Sequence, residues 1–337
     1  MKQSKKILRL MAIVGCILLG IGILLSGAGF TAMGFSLNAF THPKGGKAVQ
    51  ETVFYKDSPK EIEVNIYSGN VTIRKDENAE ELQVDAASNV YDVYMEYGAL
   101  VVKDKDSFIA DGPGKMNWYQ ILNLSPGGDY DVTITLPAKE LDTVTITTYM
   151  GSIQLSQLQG ESVSATTDSG NVEVTEVSAA DKMEIISSMG DVQLQACTGG
   201  DLIVDSDMSN TDINHCQFEN GKLTGSSGSI QSKDSTWNTL DVENDMGNCV
   251  LDHVTASETV TCATGMGNVE LTKLSSPDIH LKADSGNITG SILGDQKDYQ
   301  IMQETEMGNS NLKDQLGGAC VLEVETSMGN IDLKFTK

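Results

Sequence analysis

Apolar and polar residues alternate in short runs along most of this chain, and one run recurs ten times at steps of 19 to 22 residues. Each repeat centres on a glycine that follows Met or Ser and precedes Asn, Asp or Ser, and Ser209 replaces the glycine once. Small or apolar residues lie seven, five and three residues before the glycine and two, four and seven residues after it. This alternation predicts two half-buried strands that meet at a bend. The predicted bend glycines are Gly151, Gly170, Gly190, Gly228, Gly247, Gly267, Gly286, Gly308 and Gly329.

The repeats predict a stacked array, because one repeat of this length cannot enclose a core by itself. Parallel stacking of successive repeats places equivalent residues about 4.8 Å apart and buries a continuous apolar column. We therefore expect an all-β fold, a parallel β-solenoid of about ten coils with right-handed winding, over residues 141–337. Chain order makes the coil around Gly329 the last one, with an open edge after Leu333.

The residue after each bend glycine is most often Asn, which predicts a ladder of side chains along the turns. Stacked amides can hydrogen-bond along such a column and stabilise it. Calcium held by acidic turns is the alternative, but Asp168 and Asp207, two residues before the bend, alternate with Ser188 and Ser226. Because like charges are kept apart, a structural role is favoured over a metal site. The ladder residues are Asn171, Asp191, Asn210, Asn248, Asn268, Asn287, Asn309 and Asn330.

Residues 10–40 contain no charge and follow four basic residues. Their length and basic flank predict a transmembrane anchor at residues 10–40 and a cytoplasmic tail at residues 1–9. The C-terminal part then lies outside the cell, on a single-pass membrane protein. A cleaved signal peptide is the alternative, since Ser26-Gly27-Ala28 resembles a processing site, but the apolar run is longer than a usual signal core.

Residues 41–140 precede the predicted array and hold most of the aromatic side chains. One coil-like unit occurs here, with Ser68-Gly69-Asn70 at its bend. We expect residues 41–140 to form a β-rich N-terminal cap over the open edge of the first coil. The alternative is an aromatic platform for a sugar or a peptide. The platform candidates are Tyr91, Tyr94, Tyr97, Trp118 and Tyr119.

The charge of the chain disfavours two classes of partner. The formal net charge is −24, and the residues after Phe40 carry 19 Lys and Arg against 47 Asp and Glu. Nucleic acid and anionic lipid are therefore poor partners. His215 and His253 fall two coils apart, and Cys197 and Cys216 fall at inward positions. We expect buried thiols, no metal site and no cofactor.

Three segments carry a family resemblance: residues 132–137 (VTITLP), 141–146 (LDTVTI) and 150–155 (MGSIQL). Together they resemble the bacterial putative-adhesin domain of unknown function, which membrane proteins of the LiaG type carry. The resemblance covers roughly residues 50–337. It implies a β-solenoid on the outer side of a cytoplasmic membrane, with a role in adhesion or envelope stress, and it implies no catalytic residues.

The sequence favours a non-catalytic, membrane-anchored extracellular scaffold that binds a protein or a cell-envelope glycan. A polysaccharide lyase or hydrolase is the first alternative, but the ten repeats contain no arginine, and Lys273 and Lys282 have no distinctive partners. The second alternative is the ectodomain partner of a membrane signalling protein, because the predicted tail is too short to signal by itself.

Overall fold

The computed structural model describes residues 48–105, 130–137 and 140–337. These residues form an all-β parallel solenoid of about nine turns, which confirms the predicted fold class. The right-handed winding stays a prediction, and the predicted tail and anchor at residues 1–40 lie outside the described residues. Within the described residues, no helix reaches the length and apolarity that crossing a bilayer requires.

Each complete coil consists of a long strand, the glycine bend and a short strand, and the two kinds of strand form two sheets. Neighbouring strands of the array are parallel and in register, as Val163 with Met183 and Val172 with Val192 show. The long-strand sheet contains, in spatial order, β24 (Tyr299–Met307), β25 (Cys320–Met328), β22 (Asp278–Ser285), β20 (Thr255–Met266), β18 (Thr236–Met246), β16 (Gln217–Ser227), β14 (Thr198–Met208), β12 (Ser178–Met189), β10 (Gln159–Ser169), β8 (Leu141–Met150), β2 (Glu61–Ser68), β6 (Ala99–Asp104) and β5 (Tyr91–Glu96).

The short-strand sheet faces the long-strand sheet across the core. A 3-10 helix at Gln296–Asp298 lies directly before β24. The short-strand sheet contains, in spatial order, β1 (Gln50–Tyr55), β4 (Leu82–Ala87), β7 (Val132–Leu136), β3 (Val71–Lys75), β9 (Ile153–Ser156), β11 (Val172–Thr175), β13 (Val192–Gln195), β15 (Thr211–Asn214), β17 (Ile230–Lys233), β19 (Cys249–Asp252), β21 (Val269–Leu274), β23 (Ile288–Leu293) and β26 (Ile331–Thr336).

The core between the two sheets consists of the residues whose spacing predicted burial. Around Gly170, the inward residues Val163, Val172 and Val177 are at most 2% exposed, whereas Glu173 between them faces solvent. The period of two therefore places one set of side chains in the core and the other on the surface.

The spatial order of the coils departs from chain order at the C-terminal end. β25 pairs with β22, and β24 pairs with the outer edge of β25, so the Gly329 level lies between the Gly286 and Gly308 levels. The expectation that the Gly329 coil is the last one is therefore wrong. Ser310 stands at an inward position where most coils have Val or Ile, and it forms only an isolated bridge to Ile331. Because its short strand lacks this apolar residue, the Gly308 coil stays incomplete and lies at the end of the stack.

The edge predicted to be open is covered by the segment between β24 and β25. Ile301 and Gln315 exchange two backbone hydrogen bonds of 2.9 Å. Asn311 bonds both backbone groups of Leu333, accepting from its N–H at 3.1 Å and donating to its carbonyl at 2.9 Å. These contacts occupy groups that an edge strand otherwise offers to another chain. The prediction of an open edge after Leu333 is therefore wrong.

At the opposite end, the coil-like unit around Gly69 stacks directly on the Gly151 coil, because β2 pairs with β8 and β3 pairs with β9. The strands beyond it change direction. β6 and β7 are still parallel to their neighbours, whereas β5, β4 and β1 pair antiparallel. The bends at Gly69 and Gly151 are therefore in contact, although residues 76–140 lie between their coils in the sequence.

Candidate functional site

The bend glycines form one column in which the backbones of neighbouring coils touch. A Cβ on Gly190 would lie 2.2 Å from the Gly170 carbonyl oxygen, and a Cβ on Gly151 would lie 2.0 Å from that of Gly69. Gly190 has φ +131°, a conformation that L side chains rarely adopt, but Gly151 has no such angle. The close approach between coils is therefore the common reason for glycine at this position.

The ladder after the bend works through side-chain oxygens. Asn171 Oδ1 accepts the backbone N–H of Asp191 at 3.0 Å, and Asp191 Oδ1 accepts that of Asn210 at 3.1 Å. The pattern continues from Asn268 to Asn287 at 2.9 Å. An oxygen is what the position requires, which explains why Asp and Ser can replace Asn. Further links of the same kind involve Asn248, Asn309 and Asn330.

A second, buried ladder lies on the inner side of the bend, and the sequence analysis missed it. Thr167 Oγ1 donates to the Gly151 carbonyl at 2.9 Å, and Thr264 Oγ1 donates to the Gly247 carbonyl at 2.9 Å. Both threonines lie three residues before a bend glycine and are at most 3% exposed. A hydroxyl here satisfies a carbonyl that is shielded from water. The run of Thr, Ser and Asn at this inward position is the sequence signal that could have revealed the ladder.

The second corner of the coil, six residues after the bend glycine, has left-handed backbone in seven successive coils. None of the seven residues is glycine, and their φ angles lie between 47° and 58°. Ala196, for example, keeps its N–H bonded to the Asn214 carbonyl at 3.0 Å. Backbone hydrogen bonds to the neighbouring coil thus maintain a left-handed conformation that is unfavourable for L residues. The seven are Gln157, Glu176, Ala196, His215, Asp234, His253 and Lys273.

The three platform candidates that lie in the described residues, Tyr91, Tyr94 and Tyr97, do not form one surface. Tyr91 is 2% exposed, and its hydroxyl donates to the backbone carbonyls of Ser68 and Tyr130, so its assignment to an exposed platform is wrong. It lies on the inward face of β5, whose alternation gives it the opposite orientation to Tyr94. Tyr94 stands beside Lys103, whose Nζ lies 5.5 Å from the ring centroid.

The remaining platform candidates lie apart from Tyr94 or beyond the described ranges. Tyr97 is fully exposed at the tip of the turn between β5 and β6. Trp118 and Tyr119 lie outside the described residues. Tyr97 therefore remains as an exposed side chain and Tyr94 as a separate, partly buried one.

A different aromatic pair, Tyr67 and Tyr149, does stack on the outer face of the long-strand sheet. The two ring centroids are 5.5 Å apart, and the ring planes differ by 27°. Both residues lie two positions before a bend glycine, so the coil alignment brings them together. The sequence analysis missed this pair, although the equivalent spacing from Gly69 and Gly151 could have revealed it.

The outer face of the short-strand sheet carries a shallow polar groove of about 400 Å³. Side chains from β11, β13, β15 and β17 line it in two in-register columns. Gln193, Gln195 and Asn214 make no side-chain hydrogen bond within the described ranges, which leaves their amides free for a ligand. The groove is lined by Glu173, Thr175, Gln193, Leu194, Gln195, Asp212, Asn214, Gln231 and Lys233.

The buried cysteines are free thiols bonded to backbone groups. The Cys197 N–H donates to Cys216 Sγ at 3.4 Å, and Cys216 Sγ donates to the Asn214 carbonyl at 3.3 Å. A side-chain hydrogen bond with the Cys197 thiol and burial raise the pKa of the Cys216 thiol, although the Cys197 backbone N–H opposes the shift. Among the described residues, no group of three or more His, Cys, Asp or Glu is placed to hold a metal ion.

Asp104 is the carboxylate that the described structure buries most deeply, at 7% exposed. Its Oδ2 accepts the backbone N–H of Tyr67 at 2.6 Å, and its Oδ1 has no partner in the described part of the chain. Burial raises the pKa of Asp104 to about 6, although the Tyr67 N–H opposes the shift. The end of β6 therefore carries a titratable group beside the first coil.

Comparisons with known proteins agree with this architecture. Residues 181–334 match the family model described as Toastrack DUF4097. A comparison with curated proteins found no match.

Solved structures that are similar to this chain come from several bacteria. A putative adhesin from Bacteroides fragilis is 14% identical over 86% of this chain and 100% of its own, with a TM-score of 0.42. A putative lipid binding protein from Parabacteroides distasonis is 15% identical over 86% of this chain and 98% of its own, with a TM-score of 0.46. A putative cell adhesion protein from Clostridium sporogenes is 11% identical over 86% of this chain and 100% of its own, with a TM-score of 0.25. The match of residues 181–334 to the Toastrack DUF4097 model agrees with the resemblance to a putative-adhesin domain of unknown function that the sequence analysis found.

Proposed function

We propose that this protein is a non-catalytic, adhesin-like scaffold anchored in the cell membrane by residues 10–40. Its solenoid then lies outside the cell and binds a cell-envelope glycan or a protein. The family match and the solenoid fold support the scaffold role. The anchor, the location and the partner are parts of the proposal that depend on the sequence.

The polar groove on the short-strand sheet is the observation that carries the proposal. Its two columns repeat once per coil, at the spacing of about 4.8 Å that separates neighbouring strands. Gln193, Gln195 and Asn214 offer amide donors and acceptors that have no side-chain hydrogen-bond partner among the described residues. A regular row of free hydrogen-bonding groups suits an extended ligand that presents polar groups repeatedly, as a polysaccharide or a peptide strand does.

The lysines offered as catalytic bases are poorly suited to that role. Lys282 Nζ lies 3.3 Å from Glu325 Oε1 and 3.8 Å from Asp284 Oδ1. The hydrogen bond with Glu325 raises the pKa of Lys282, so the amine keeps its proton and is a poor general base. Lys273 lies at a left-handed corner, with φ +51°. A scaffold role agrees better with these side chains than a lyase does.

Retention of the full-length protein on isolated cell envelopes tests the proposal. We expect the wild-type chain to be retained and the triple variant Gln193→Ala, Gln195→Ala, Asn214→Ala to lose at least tenfold in affinity. Thr261→Ala, on the long-strand sheet, serves as the control and should bind normally. Equal retention of all three proteins would contradict a role for the groove, and no retention of the wild type would contradict the scaffold.

Crosslinking in intact cells distinguishes the partner classes. A glycan adduct supports an envelope scaffold, and an adduct with a membrane signalling protein supports the ectodomain-partner alternative. Hydrolysis or elimination products from envelope glycans would instead indicate an enzyme.

A further inference from the structure

The stacked pair of Tyr67 and Tyr149 differs from the rest of its column. These residues lie two positions before Gly69 and Gly151, on adjacent parallel coils. Every other coil has Asp, Ser, Gly or Glu at this position, none of which is aromatic. The remaining members of the column are Asp168, Ser188, Asp207, Ser226, Asp245, Gly265, Asp284, Glu306 and Ser327.

Both rings are available at the surface. Tyr149 is 46% exposed and Tyr67 is half-buried. Neither phenol hydroxyl has a hydrogen-bond partner in the part of the chain that the structure describes. An aromatic face with a polar, hydrated tip suits a ligand that has both an apolar C–H face and hydroxyl groups.

Three polar side chains lie near the rings on the same sheet face. Asn65 and Thr147 pair in register, each two residues before one of the tyrosines. Asp168 stands in the column position next to Tyr149, on the following coil. None of these three side chains makes a hydrogen bond within the described ranges. The surface therefore combines an aromatic platform with an amide, a hydroxyl and a carboxylate, all free to bond a ligand.

The charges at this surface restrict the ligand further. Asp168 and Glu63 are acidic residues on this outer face, Lys103 is a basic residue in register with Asn65, and the whole chain has a net charge of −24. A polymer with phosphate or carboxylate groups would be repelled at low and moderate salt. A neutral sugar presents hydroxyls to the polar residues and a C–H face to the rings without this penalty.

We propose that Tyr67 and Tyr149 bind a pyranose ring of a neutral envelope glycan, with Asn65, Thr147 and Asp168 hydrogen-bonding its hydroxyls. This inference deepens the proposed function, on which it rests, by naming a neutral glycan as the ligand and a second surface as its site. The tyrosine pair binds one sugar ring, and the polar groove belongs to the opposite sheet.

Titration of the full-length protein with two neutral tetrasaccharides, the β-1,4-linked oligomers of glucose and of N-acetylglucosamine, tests this site. Saturation-transfer NMR should show contact between tyrosine ring protons and the sugar C–H face for at least one of them. We expect Tyr149→Ala and Tyr67→Ala to weaken binding about tenfold, whereas Tyr149→Phe keeps the ring and stays within about threefold. Polygalacturonate, an anionic polymer, should bind more weakly than the neutral oligomers.

Controls distinguish a binding role from a structural one. Tyr94→Ala removes a partly buried tyrosine from another strand, β5, and should leave sugar binding unchanged. Hydrogen exchange in β2 and β8 reports whether a variant still folds, and a folded Tyr149→Ala chain with wild-type affinity overturns the inference. Failure of both tetrasaccharides to bind also overturns it.

The two proposals can fail separately. If the wild-type chain is retained on envelopes and the tyrosine variants are retained equally, the sugar site is refuted while the scaffold stands. If the wild-type chain is not retained at all, the scaffold itself is refuted.

Discussion

Replacing Asp104 by Asn tests how burial controls stability at the N-terminal end of the solenoid. The carboxylate is 7% exposed, and one of its oxygens has no partner among the described residues. Its pKa rises from 3.8 to about 6. A shift of about two pKa units corresponds to about 3 kcal/mol of differential stability between its two protonation states. Asn keeps an oxygen for the Tyr67 N–H but removes the buried charge.

The sign of the pH dependence follows from proton binding. The unfolded chain releases the Asp104 proton near pH 4, and the folded chain holds it until about pH 6. Between these values the folded state binds more protons, so the free energy of unfolding falls as pH rises. The stabilising contribution of the protonated Asp104 side chain is fully present below about pH 4 and is lost above about pH 6. At pH 7.5 we expect Asp104→Asn to be more stable than wild type by about 1–3 kcal/mol, because only the wild type buries a charge.

Hydrogen exchange by mass spectrometry on the full-length chain measures this locally. Peptides from β2 and β6 should lose protection in the wild type between pH 4 and 6.5, after correction for intrinsic exchange, while β14 serves as the internal reference. Asp104→Asn should flatten the profile, and Asp168→Asn, at an exposed carboxylate, should not. Equal pH profiles for wild type and Asp104→Asn would refute the reasoning, as would a gain of wild-type protection with rising pH.

Three further substitutions test the corners of the coil by chemical denaturation. Gly151→Ala places a methyl group about 2.0 Å from the Gly69 carbonyl oxygen and should cost about 3 kcal/mol. Ala196→Gly releases a left-handed backbone at φ +54° and should stabilise the chain by about 0.5–1 kcal/mol. Thr264→Val keeps the side-chain shape but removes the hydroxyl bonded to the Gly247 carbonyl, and should cost about 1–3 kcal/mol.

Each of these predictions has a matched control. Gly160→Ala meets its nearest atom at 3.1 Å, so it should cost less than Gly151→Ala. Ala179→Gly, in a buried strand with ordinary backbone, should destabilise the chain where Ala196→Gly stabilises it. Thr261→Val removes a hydroxyl without a hydrogen-bond partner in the described ranges. Equal costs for the two threonine substitutions would contradict the buried ladder.

The spacing of the repeats predicted the parallel register and the core residues because a period of two and a fixed bend determine which side chains face inward. Val163 and Val172, on either side of Gly170, lie in the core as their phase requires. The buried hydroxyl ladder escaped prediction because Thr fits the inward pattern by size. Its bond to a glycine carbonyl of the neighbouring coil appears only when two coils are placed together.

The order of coils at the C-terminus could not be predicted from periodicity, since the Gly308 and Gly329 repeats share the same bend pattern. The difference lies in one inward residue, Ser310 against Ile331, which leaves the first repeat without a complete short strand. The assignment of Tyr91 to an exposed platform was wrong for a related reason. Tyr91 lies in an aromatic-rich region of the sequence, but its position in the alternation of β5 decides whether its side chain faces the core or the solvent.

The insertion of β25 between β22 and β24 has a consequence for biosynthesis. A chain that has emerged only as far as Met307 contains β24 but not the strand on which β24 docks. The distal coil can therefore assemble only after β25 has also been synthesised. A chain that ends before β25 would leave the β22 edge bare and β24 unattached, and proteases would cleave that unpaired end first. Completion of the solenoid thus depends on a strand that is made after the one it holds in place.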